Sequence, residues 1–137
     1  MRKLSVLTLG VECLDVSARF YETVLDLKRT DYQSDDIIFY HLDGAELALF
    51  PRQELAKDIG IPDVGKGFAG ITLAHNVTSS QQVLALLDKA RVSGGQVIKE
   101  GQPVFWGGFS GYFADPDGHL WEVACGSKEY QQEVARS

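Results

Sequence analysis

Apolar residues along this chain alternate between two spacings, and the alternation occurs twice. "KLSVLTLGV" (3–11) and "FAGITLAHNV" (68–77) are short apolar runs of strand character. The first leads into "LDVSARFYETVLDL", where Val16, Phe20 and Val24 recur four apart and Asp15 is a plausible N-cap. The second leads into "TSSQQVLALLDKARVSGG". Here Ser79 and Gln82 have capping-box spacing, Val83, Leu87 and Ala90 form one stripe, and Gly94-Gly95 stops the helix. Each helix is followed by an apolar strand, an Asp-Gly turn and a second apolar strand, "IIFYHLDGAELALF" (37–50) and "GYFADPDGHLWEVA" (111–124).

Laying the first hairpin on the second sets Phe39 on Phe113, Asp43 on Asp117 and Gly44 on Gly118. Further strands fit "KRTDYQ" (28–33) and "QVIKE" (96–100). The expected architecture is α+β, with two tandem βαβββ modules over about 1–51 and 68–125. The polar, glycine-containing segment 52–67 reads as a linker and 126–137 as a polar tail, all in a single domain spanning 1–137.

The most informative stretch is "DPDGHLWEVA" (115–124), because its strand holds one carboxylate, Glu122, between apolar neighbours. Strand interiors seldom keep an acid unless it is paired or in use. Asp115, Pro116 and Gly118 suit the first, second and fourth places of a type I turn. A three-residue loop, 116–118, pairs Asp115 with His119 and therefore Tyr112 with Glu122. Alternation then puts Trp121 and Phe113 on a helix-packed face and Tyr112 with Glu122 on the other. A phenol there can donate to the carboxylate.

These features resemble the vicinal oxygen chelate superfamily of glyoxalase I, bleomycin-resistance proteins, fosfomycin-resistance enzymes and extradiol dioxygenases. The "FYE" on the first helix, the "DPDG" hairpin followed by Glu, and the doubled module order carry the resemblance over residues 3–125. It implies cupped mixed sheets around a cavity, with helices outside. It also implies metal ligands at four places, which in this chain are Val6, Ala48, Thr72 and Glu122. Only Glu122 is of coordinating type, since zinc, nickel or iron(II) sites need several His, Cys or carboxylate ligands. No cofactor is therefore expected, and Glu122 is the one metal ligand if a metal is present.

Trp106 and Tyr112 from the aromatic, glycine-punctuated "PVFWGGFSGYF" (103–113) are candidate ligand-binding residues, as are Thr8, Ala48, Thr72 and Glu122. Gly107 and Gly108 allow a bend there. Glu122 is also the candidate catalytic acid or base, its pKa expected to rise in an apolar cup. His41 and His119 fall at hairpin turns, and His75 is expected on the helix-packed face. "GIPDVGKG" (60–67) misses the P-loop pattern, because Gly67 stands where Ser or Thr is required.

Composition narrows the class further. The chain has 137 residues, 45% hydrophobic and 23% charged, which suits one soluble domain. A net charge of −6 argues against nucleic acid and anionic membranes as partners. No run approaches the roughly 18 apolar residues that span a bilayer. Cys13 and Cys125 match no disulfide or zinc spacing and are expected to be reduced, partly buried thiols, in a cytoplasmic protein. The leading expectation is a metal-independent protein that sequesters a small organic molecule in an aromatic cavity, as a homodimer. The rival is a metal-dependent lyase, isomerase or dioxygenase using Glu122.

Overall fold

The structure is a computed structural model that describes residues 2–65 and 67–137. The chain forms two compact units, Met1–Ala69 and Gly70–Ser137. Both are α+β with mixed sheets, as the patterning predicts.

In the first unit, β1 (Val6–Val11) runs parallel to β3 (Ala45–Pro51), and β2 (Ile38–Leu42) pairs antiparallel with β3 on its other side. The helix α1 (Leu14–Val24) lies between β1 and β2 in the chain. It buries Ser17, Ala18, Phe20, Tyr21 and Val24. Val16 is 46% exposed, so the apolar stripe is turned one position from the expected 16–20–24 series. Cys13 occupies the N-cap and Asp15 lies in the first turn, where its charge favours the helix dipole without capping. Residues 28–33 do not form a full strand. Arg29 makes an isolated bridge to Tyr40, flanked by Thr30 N–H donating to the Phe39 carbonyl and His41 N–H to the Lys28 carbonyl.

The segment expected to be a bare linker contains α2 (Arg52–Ile59), which ends at Gly60 in the left-handed region. No residue of α2 is buried, and its polar average composition reads as linker despite its amphipathic spacing. Lys66, part of the near P-loop stretch, lies outside the described residues.

In the second unit the sheet order is β4 (Leu73–Val77), β7 (Leu120–Cys125), β6 (Phe109–Ala114), β5 (Gln96–Pro103), with β4 parallel to β7 and the rest antiparallel. The helix α3 (Ser80–Val92) buries Val83, Leu87 and Ala90 as predicted. Its box is split: Ser79 Oγ accepts from Gln82 N–H, but Gln82 Oε1 accepts from the backbone and hydroxyl of Thr78 rather than from Ser79. Gly95 N–H closes the helix on the Ala90 carbonyl.

The polar tail is also a helix, α4 (Ser127–Arg136). Tyr130 packs on Phe109 at 5.3 Å between ring centroids, and Gln131 Nε2 donates to the Gly107 carbonyl. Both Glu133 oxygens take donors from Ser80, at 2.7 Å from its N–H and 2.6 Å from its hydroxyl, at the start of α3. These Ser80 hydrogen bonds hold the Glu133 carboxyl below the usual carboxylate range.

Helix-facing and open sides of each sheet can be assigned from contacts. Tyr40 Oη donates to the carboxylate of Glu22 on α1 at 2.7 Å, so Tyr40 and its cross-strand partner Leu47 face the helix. Burial, then Glu22, pushes the Tyr40 phenol above its ordinary range. In the second sheet Gly111 lies against Leu87 of α3, which fixes Phe113, Trp121 and Val123 on the helix side. Phe113 and Trp121 stack with 6.2 Å between centroids.

Candidate functional site

Asp115 builds the second hairpin. Its Oδ1 accepts from the N–H groups of Asp117 and His119, and its carbonyl accepts from Gly118 N–H. Gly118 has φ 88°, a conformation that suits glycine. The loop is therefore 116–118, Asp115 pairs with His119, and Tyr112 stands opposite Glu122. The first hairpin turns on two residues, Asp43 and Gly44, between Leu42 and Ala45. That extra residue in the second loop shifts one arm of the sequence overlay: Phe39, not Ile38, is the counterpart of Tyr112. The overlay of Phe39 on Phe113 is thus off by one, while Ala48 on Glu122 holds.

On the open face of the second sheet one row reads Ala74–Glu122–Tyr112–Lys99. Glu122 and Tyr112 are half-buried, and no hydrogen bond joins phenol to carboxylate among the described residues. Two polar groups thus stand side by side, each able to engage a ligand. Thr72 is exposed just before β4 begins. His75 pairs with Val123, on the helix side as expected, yet it is exposed because β4 is an edge strand. Trp106 lies in the β5–β6 loop at 40% exposure, its ring folded over Gly108, where a Cβ would collide with it. Its neighbour Phe105 is fully exposed. Cys125 is buried and Cys13 exposed, both free.

The open face of the first sheet carries two rows: Val6–Glu46–His41 and Thr8–Ala48–Phe39. Ala48 is fully buried, Thr8 half-buried, and Val6 40% exposed. An open recess of about 570 Å³ lies on this unit, lined by Thr30, Tyr32, Ile37, Phe39, Glu46 and Phe50. Tyr32 meets Phe39 edge to face at 5.5 Å. Glu46 was missed by sequence reasoning, and so was its facing with His41. The signal was present, since "AELALF" holds a lone acid among apolar residues just as "LWEVA" does.

The four positions at which the resemblance implies a metal do not fit one. Valine, alanine and an exposed threonine outside the strand leave Glu122 alone. Among the described residues no group of three or more His, Cys, Asp or Glu side chains is placed to hold an ion. No helix among them is long and apolar enough to cross a membrane.

Comparison with known proteins agrees with this geometry. The model of the Glyoxalase/Bleomycin resistance protein/Dioxygenase superfamily matches residues 3–123, and the chain belongs to that superfamily. A glyoxalase-related enzyme from Fulvimarina pelagi is 36% identical with a TM-score of 0.84, over 91% of this chain and 88% of that one. Lactoylglutathione lyase GLX1 from Arabidopsis thaliana is 31% identical over 118 residues. The match takes in 80% of this chain but 39% of that protein, so the chain spans about two fifths of its length. A lactoylglutathione lyase from Agrobacterium tumefaciens shares the fold, with a TM-score of 0.68 at 21% identity and coverage of 93% and 96%.

Proposed function

We propose that the chain is a metal-independent, cytoplasmic small-molecule-binding protein of the glyoxalase and bleomycin-resistance type. It holds an organic ligand against an open sheet face. The observation that carries this reading is the set of non-coordinating side chains at Val6, Ala48 and Thr72, combined with half-buried polar groups that stand beside aromatic rings and have no side-chain partner among the described residues. On the second unit Glu122 and Tyr112 would fix ligand orientation, with Thr72 and Trp106 contributing contact surface. On the first unit Thr8 is the accessible candidate, whereas Ala48 is fully buried and cannot touch a ligand. Exposed Ile61, Val64, Phe68, Ile71 and Phe105 support a homodimer, since burying apolar side chains against a second copy removes them from water.

A metal-dependent lyase is the second reading, favoured by the 31% identity to the plant lyase. Elemental analysis and thermal unfolding separate the two. Purified protein is expected to carry no stoichiometric divalent metal, and zinc, nickel, manganese or iron(II) should leave Tm unchanged. A tight site would add ~2.7 kcal/mol at a hundredfold excess over Kd. One metal per chain, lost in Glu122→Ala, would overturn the proposal. Sedimentation showing only monomer at micromolar concentration would overturn the dimer.

A further inference from the structure

We propose that the recess on the first unit selects organic cations, an ammonium or amidinium group attached to a flat apolar body, with Glu46 as the charge-reading residue. The inference rests on the proposed ligand-binding role of the open sheet face and adds the chemical class of the ligand.

The walls supply the apolar part. Phe39, Phe50 and Ile37 are half-buried, and Tyr32 closes one side at 61% exposure. Aromatic faces attract cations through their quadrupole, and a carboxylate within such a wall adds a charge-assisted acceptor. Glu46 is the one ionisable carboxylate among the lining residues. It is half-buried, yet no cation pairs with it and no donor engages its side chain among the described residues; His41 stands opposite it in the strand register without an ion pair. Three other acids of this unit are engaged, Glu22 with Arg29 and Tyr40, Asp26 with Lys28 and Asp63 with Arg52, but none of them lines the recess. A carboxylate that has lost part of its hydration and gained no partner favours a cation over a neutral or anionic ligand of the same shape. The Thr30 hydroxyl is a second polar group on the same wall.

The test is calorimetric titration of the full chain with three probes of one shape: phenethylamine, phenethyl alcohol and hydrocinnamate. The amine should bind about tenfold tighter than the alcohol, and the acid weakest, from one charge-assisted contact. Glu46→Gln should erase the preference for the amine while the alcohol binds as before. Glu54→Gln, an exposed acid on α2, should preserve it. Phe39→Leu should weaken all three probes together and keep their order, which gives a second readout if Glu46→Gln folds poorly. Equal binding of the three, a preference that survives Glu46→Gln, or binding of none would each overturn the inference. Equal binding would leave the ligand-binding reading standing, whereas metal uptake would overturn that reading without touching the charge preference.

Discussion

On the helix side, Tyr40, Leu47 and Leu49 of the first sheet hold the places that Phe113, Trp121 and Val123 hold in the second, and all six are buried. On the open side the correspondence breaks. The first sheet has its carboxylate at Glu46, in a row with Val6 and His41. The second has it one same-face step further along, at Glu122, in a row with Ala74, Tyr112 and Lys99. The helix-facing layer is constrained by close packing, which tolerates only apolar residues of suitable volume. The open face has no such requirement, so chemistry can move there while the fold is retained. Two copies of one supersecondary unit share a core and differ in what their open faces present.

The most severe way to break this comparison is to give the second hairpin the loop length of the first. Deleting Asp117 leaves Pro116 and Gly118 as a two-residue loop between Asp115 and His119, and proline, fixed near φ of about −65°, cannot take the positive φ that such a turn requires at its first position. We expect loss of cooperative unfolding by circular dichroism, since the β6–β7 pairing can no longer close. Next in size, Leu47→Ala and Trp121→Ala should each cost ~2–5 kcal/mol in denaturant melts, equally in both sheets, because each leaves a cavity in an equivalent layer.

Gly111→Ala sharpens the contrast between the helices. An added methyl would lie 2.6 Å from Leu87 Cδ1 and 2.8 Å from the Lys99 carbonyl, a backbone neighbour that cannot yield easily. A loss of ~1–3 kcal/mol is expected, without change in ligand affinity. Ser17 offers the reverse effect. Its hydroxyl is buried with no hydrogen-bond partner among the described residues, at a helix position where α3 places Val83 in a stripe of matching spacing. Ser17→Ala should stabilise the chain by up to ~1 kcal/mol, read from the denaturation midpoint.

The smallest effect concerns pH. Glu133 titrates below the ordinary carboxylate range because Ser80 donates to it. Its contribution is therefore fully present above that range and lost as pH falls through the lowered value. Hydrogen exchange should show α4 amides losing protection before those of α3 on acidification. Glu133→Gln should remove that pH dependence, and unchanged behaviour in the variant would show that Glu133 does not hold α4.

Much of this was legible in the sequence because strand and helix periods are distinct and the "DPDG" turn pins its own register. The stripe Val83–Leu87–Ala90 and the pairing of Tyr112 with Glu122 both follow from spacing alone. What escaped has physical reasons. The helices α2 and α4 bury no residue and are polar on average, so they read as linker and tail although both are amphipathic and "SKEYQQEVAR" is rich in good helix formers. Residues 28–33 have strand composition, but they pair with β2 at only one bridge. Glu46 escaped because the family resemblance points to Ala48, two residues away on the same face. The exposure of Trp106 depends on the fold of its loop over Gly108, which no local pattern encodes.

One oxygen in the first unit governs more than its own hydrogen bonds. Glu22 Oε2 on α1 accepts from Tyr40 Oη at 2.7 Å and from Arg29 Nε at 2.9 Å, so helix, strand β2 and the irregular segment before it are fastened at a single atom. That segment continues directly into Thr30 and Tyr32, the outer wall of the recess. Lacking a full ladder of strand hydrogen bonds, the wall takes its position from this fastening. It is therefore set before any ligand arrives, and less ordering entropy opposes binding than a loose flap would impose.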